Sequence, residues 1–181
     1  TDHGEISYDI LDKLDCKQLF DLTDEQIHVL KMGVKYHTKP YNGEDSKVAL
    51  CTKIIKNADA MANVNTTANA SHKIHTSVDG VTKEILDSFI NMEPLWAYKY
   101  KTKLDRCLML TANCYYVRYP FLRKEILECN FIDIMYESFS KYLNDEDKKI
   151  YKNAVEKMKV SYTSSCQKTI EQIENESKFV F

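Results

Sequence analysis

The stretch NDEDKKIYKNAVEKMKVSYTSSCQKTIEQI, Asn144 to Ile173, decides the fold class. Ile150, Ala154, Met158, Tyr162 and Cys166 recur at every fourth position, and Ile170 and Ile173 continue the line. That spacing lays them in a stripe along an α-helix. Asn144 with Asp147 marks the start, because an Asn side chain there can satisfy one of the first free N–H groups. Upstream the same period returns. Thr23 to Gln26 (TDEQ) is a capping box, followed by Ile27, Leu30 and Val34 on one face and widened by Val29, Met32 and Tyr36. Asp2 with Glu5 caps a first helix whose stripe is Ile6, Ile10 and Leu14. Thr102 with Asp105 opens another, with Leu104, Leu108, Thr111 and Tyr115 in line before Pro120.

Further helices are predicted from about Asp45 to Ala62, from Thr82 to Ile90, from Phe121 or Leu122 to Leu127, and from Phe131 to Tyr142. Val48, Cys51, Ile55, Ala58 and Ala62 form the expected inward face of the first of these. Residues 63–80 are polar and aperiodic and read as an ordered loop or a mobile flap, well placed to act as a lid. Only 4 Gly and 3 Pro occur in 181 residues, so turns are few and elements long. Alternating β-branched runs are hard to find. The expectation is an all-α chain, a single helical domain over residues 1–181 with a long C-terminal helix.

Composition excludes several classes. Hydrophobic residues make up 44%, enough to offset the entropy of ordering. With 25 Lys+Arg against 27 Asp+Glu there is no basic excess of the kind that drives phosphate-backbone binding. No run of ~18 apolar residues exists to span a membrane. The cysteines at 16, 51, 107, 114, 129 and 166 include no C-x-x-C pair. They read as reduced, buried small hydrophobes, in keeping with a cytoplasmic setting.

There is no G-x-S-x-G elbow and no glycine-rich phosphate loop. What remains is the placement of certain histidines and acids. His3 stands in the first turn of helix one. His37 stands just past the end of the Thr23 helix. Asp59 lies mid-helix among Ile54, Ile55, Ala58, Ala60 and Met61, and reads as at least partly buried. Asp is a poor interior helix former, and a buried carboxylate needs a cation or hydrogen-bond partners. His28 reads as exposed. His72 and His75 have i, i+3 spacing in an Asn-rich context. Trp96, beside Pro94 and Leu95, reads as core or as a contact surface.

Taken in order, the runs DHGEISYDIL (2–11), VKYHTKP (34–40) and TKIIKNADAM (52–61) resemble the HD-domain metal-dependent phosphohydrolases. In that family a His opens one helix, a second His closes another, and an Asp follows a paired isoleucine. The run KTKLDR (101–106) is similar to small bacterial members, so the likeness spans about residues 2–145. It implies that His3, His37 and Asp59 are metal ligands, Asp59 also carrying catalysis, and that Lys39 and Arg106 meet substrate phosphate. It implies one or two ions of Mn, Fe, Co, Ni or Zn, since imidazole and carboxylate together suit these metals. The substrate expected is a nucleotide or another small phosphorylated compound. The His-Asp doublet that names the family does not occur, and the expectation is that it and a preceding His lie upstream of residue 1. Asn57, Thr38 and Ser7 also depart from the usual pattern. The alternative is a non-catalytic helical binding module, and the long last helix suits pairing with a second copy.

Overall fold

Six of the described helices begin at a side chain that accepts a hydrogen bond from the first turn. They are α1 (His3–Lys13), capped by Asp2, α2 (Cys16–Phe20), capped by Asp15, and α3 (Asp24–Tyr36), capped by Thr23. The others are α4 (Ser46–Asn69), capped by Asp45, α6 (Lys103–Thr111), capped by Thr102, and α9 (Asp145–Ser165), capped by Asn144. Thr23 and Thr102 form full capping boxes with Gln26 and Asp105. The remaining helices are α5 (Lys83–Ile90), α7 (Pro120–Glu128) and α8 (Phe131–Ser140), and a 3-10 turn runs over Ala112–Tyr116. These elements come from a computed structural model that describes residues 2–70, 74–93, 95 and 98–168. Among the described residues there is no strand, so the chain is all-α as the periodicity requires. None of the described helices is long and apolar enough to cross a membrane.

The described chain groups into two compact units, one ending at Asp59 and the other beginning at Ala60. In the first, α1 turns its Glu5, Tyr8 and Asp12 side to α3. Lys31 Nζ meets Asp12 at 2.9 Å, Lys35 Nζ meets Glu5 at 3.3 Å, and Lys35 also covers the Tyr8 ring. The Ile6, Ile10 and Leu14 stripe therefore points outward, with Ile10 55% exposed. Gly33 lets α3 approach α4 closely, since a Cβ there would stand 2.6 Å from Cys51 Sγ.

The second unit holds every buried hydrophobic residue described except Cys16 and Val48. The α9 line is part of that core: Ala154, Met158 and Tyr162 are buried, with Tyr151 and Val155 beside them. Leu104, Leu108, Thr111 and Tyr115 are all buried as well. Thr111 and Tyr151 share a hydroxyl hydrogen bond of 2.6 Å, and Tyr162 donates to the Cys114 carbonyl at 3.0 Å.

Several expectations need correction. Helix α4 runs on to Asn69, so residues 63–69 are not loop. Its buried positions are Val48, Thr52, Lys56, Asn57, Ala60, Val64, Thr67 and Ala68, whereas Ala58 and Ala62 are exposed. Of the two readings of the following segment, its described part fits the ordered loop rather than the mobile flap. Thr76 Oγ1 donates to the Lys101 carbonyl, the Lys103 amide donates to the Val78 carbonyl, and the Gly80 amide donates to Asp147 at 2.8 Å. All six cysteines are free; Cys16, Cys107 and Cys114 are buried, but Cys129 is exposed. His72, Pro94, Trp96, Ile170 and Ile173 lie outside the described residues.

Candidate metal site

His3, His37 and Asp59 come together within the first unit. Each offers a ligand atom, and these atoms all lie within 4.8 Å of one another. Among the described residues no other group of three or more His, Cys, Asp or Glu side chains converges in this way. His3 is the first residue of α1, His37 follows the last residue of α3, and Asp59 projects from α4. The two imidazoles meet edge to face, with centroids 4.9 Å apart and planes at 67°.

Local backbone chemistry prepares His37. Its Nδ1 lies 2.6 Å from the Val34 carbonyl oxygen. A carbonyl only accepts, so Nδ1 is the donor here, and in the neutral ring Nε2 is then the nitrogen with the free lone pair. Such a hydrogen bond is the usual way a ligating imidazole has its tautomer and orientation set. It also satisfies a carbonyl of the last turn of α3, which has no partner within the helix.

The donor set fits a borderline transition metal better than calcium, which prefers oxygen ligands alone. Donors ~2.1 Å from one ion stand ~3–3.5 Å apart. The 4.8 Å spread is wider than that, so an ion would draw the three donors together. The exposure of Asp59 departs from the partly buried position expected. Three donors leave the remaining coordination positions of an ion to water or substrate.

Charged groups ring the histidines. Asp2 accepts from the Thr38 hydroxyl at 2.7 Å and from the Gly4 amide at 2.9 Å. Those bonds, the Thr38 one foremost, hold its carboxyl below the ordinary range. Glu5 pairs with Lys39 and Lys35, and the Lys39 hydrogen bond lowers its pKa while raising that of Lys39. Lys39, expected at substrate phosphate, thus has its ammonium engaged by Glu5 and, at 3.7 Å, by Asp2. Arg106 belongs to the second unit, where its guanidinium lies 5.2 Å from the Tyr100 ring centroid. Its link to phosphate rests on the family resemblance alone. His28 and His75 are exposed, the first as expected.

Sequence reasoning passed over Thr38, noted only as a departure from a family pattern, and gave Asp2 and Glu5 no part beyond capping. Asp2 does cap α1, but Glu5 turns to the lysines rather than back to the cap. A groove of about 440 Å³, lined by residues that include Leu22, Val29, Leu30 and Cys51, shares no residue with the trio.

No protein-family model, curated protein or solved structure matches this chain.

Proposed function

We propose that the chain is a metal-dependent phosphohydrolase of the HD type, acting on a nucleotide or another small phosphorylated compound. The observation that carries this reading is the convergence of His3, His37 and Asp59, ligand atoms within 4.8 Å, from three separate helical segments. Further support comes from the hydrogen bond between His37 Nδ1 and the Val34 carbonyl, which in the neutral ring leaves Nε2 free to ligate. When bound, a divalent transition metal supplies a water acidic enough to act as nucleophile near neutral pH and a Lewis acid for phosphate oxygens. The chain's own part is to present two neutral imidazoles and one carboxylate, so that the ion retains positive charge to attract an anionic substrate. The exposure of His3 and Asp59 leaves the trio open to a small phosphorylated molecule.

Activity tests this directly. The wild-type chain, loaded in turn with Mn, Co, Ni and Zn, is expected to hydrolyse members of a panel of nucleotides and simple phosphate monoesters. Asp59→Ala is expected to reduce that hydrolysis to the metal-free background. Undiminished turnover in Asp59→Ala removes Asp59 from the chemistry and the proposal with it.

A second reading, a non-catalytic helical binding module, is favoured by the outward apolar stripe of α1, where Ile6 is 45% and Ile10 55% exposed. It predicts no hydrolysis with any metal.

A further inference from the structure

His3 and His37 belong to different helices, and an ion gains most from ligands already held near their bound separation. The residues beside each histidine are bonded to one another. Asp2, immediately before His3, accepts at one carboxylate oxygen from the hydroxyl of Thr38, immediately after His37, at 2.7 Å. The same oxygen accepts from the Gly4 amide at 2.9 Å. The other Asp2 oxygen lies 3.7 Å from Lys39 Nζ, which also donates to Glu5. The Lys39 carbonyl in turn accepts from Lys56 Nζ at 2.9 Å, tying the turn to α4, the helix that carries Asp59.

Gly4 makes this possible. A Cβ there would stand 2.7 Å from the Lys35 carbonyl oxygen, 2.9 Å from Thr38 Oγ1 and 3.2 Å from Asp2 Oδ1. A side chain would therefore push the two histidine-bearing segments apart at the point where they are joined.

We infer that Asp2, Thr38 and Lys39 are positioning residues, a clasp that presets the approach of His3 to His37 and so sets the affinity of the trio for a divalent transition metal. The inference rests on the metal reading above. It also gives Lys39 a role other than contact with substrate. Groups that orient metal ligands typically change affinity ~10–100-fold when removed.

The test measures zinc affinity of the full chain by competition with a chromophoric chelator, with circular dichroism on each variant. Thr38→Val is expected to bind zinc about ten times more weakly, and Thr38→Ser to bind as wild type does. In an Asp2→Ala background, Thr38→Val is expected to cost nothing further, because the bond is already gone. Lys39→Gln, a change of similar length at a side chain one-third exposed and the second variant should Thr38→Val fail to fold, is expected to weaken zinc several-fold. Unchanged zinc affinity in Thr38→Val and Lys39→Gln, with wild type binding normally, overturns the clasp and leaves the metal site standing. Wild type that binds no zinc overturns both. A Lys39→Gln variant that raises KM for a phosphate substrate without altering zinc affinity returns Lys39 to substrate contact and removes it from the clasp.

Discussion

A methyl group at Gly33 has almost no space, because Cys51 Sγ, Cys51 Cβ and Ile55 Cδ1 would lie 2.6, 3.1 and 3.2 Å from it. Overpacking of this kind costs ~1–3 kcal/mol. Replacing a mid-helix glycine by alanine returns ~1 kcal/mol through helix propensity. Gly33→Ala is therefore expected to destabilise the chain by up to ~2 kcal/mol in urea unfolding, and Cys51→Ala in the same chain to recover part of the loss. No sequence pattern announced Gly33, since a glycine reads as a gap in a stripe until the opposing helix is known. The trio was legible for a different reason: three short runs in a fixed order carried it. The exposure of Asp59 was not legible. Its neighbours in sequence are apolar, but adjacent residues on a helix point about 100° apart. Ile54 and Ala58 are themselves exposed.

At the scale of elements, capping chemistry was the most readable signal. Thr23, Thr102 and Asn144 start helices where their side chains indicated. The short α2 escaped because five residues carry no period, although Asp15 caps it and Asp21 ends it in the left-handed region at φ 51°. The far end of α4 was misread because Asn and Thr dominate residues 63–69. Their helix propensity is only modestly poor, and a thin line of buried side chains is enough to hold them. Val64, Thr67 and Ala68 supply it at i, i+3 and i+4. Two substitutions separate helix from loop here. Val64 is fully buried, so Val64→Ala is expected to lower stability by about 2 kcal/mol. Thr66→Ala, at an exposed position, is expected to raise it by a few tenths of a kcal/mol through propensity. Near-zero effects for both in thermal unfolding would contradict the helical assignment.

Across the whole molecule, the apolar core and the candidate metal ligands occupy different units. The second unit carries the large buried side chains, among them Phe89, Tyr115, Phe139, Tyr151 and Tyr162. It also buries Asp105, which accepts from the Thr82 amide and hydroxyl, both at 2.7 Å, and from the Lys101 and Thr102 amides at 3.0 and 3.1 Å. Burial pushes this carboxyl up, but the hydrogen bonds, led by the Thr82 amide, outweigh it and hold the pKa below the ordinary range. A carboxyl lowered in the folded state adds stability above its unfolded pKa of ~3.9 and loses it as pH falls through the folded value. Asp105→Asn is therefore expected to be less stable than wild type at neutral pH. The gap between them should narrow below about pH 4, as denaturant midpoints across pH would record. A gap that stays constant from pH 7 to pH 2 would mean the charge on Asp105 does no stabilising work.

The first unit buries only Cys16 and Val48 among its described hydrophobic residues, so a bound ion there has structural as well as chemical consequences. The sharpest test is metal content. Wild-type chain and a His3→Ala, His37→Ala, Asp59→Ala variant are each exposed to Mn, Fe, Co, Ni and Zn, passed through a desalting column and analysed for bound element. The account predicts transition metal in stoichiometric amount on the wild type and background on the variant. Wild type as metal-free as the variant would contradict it.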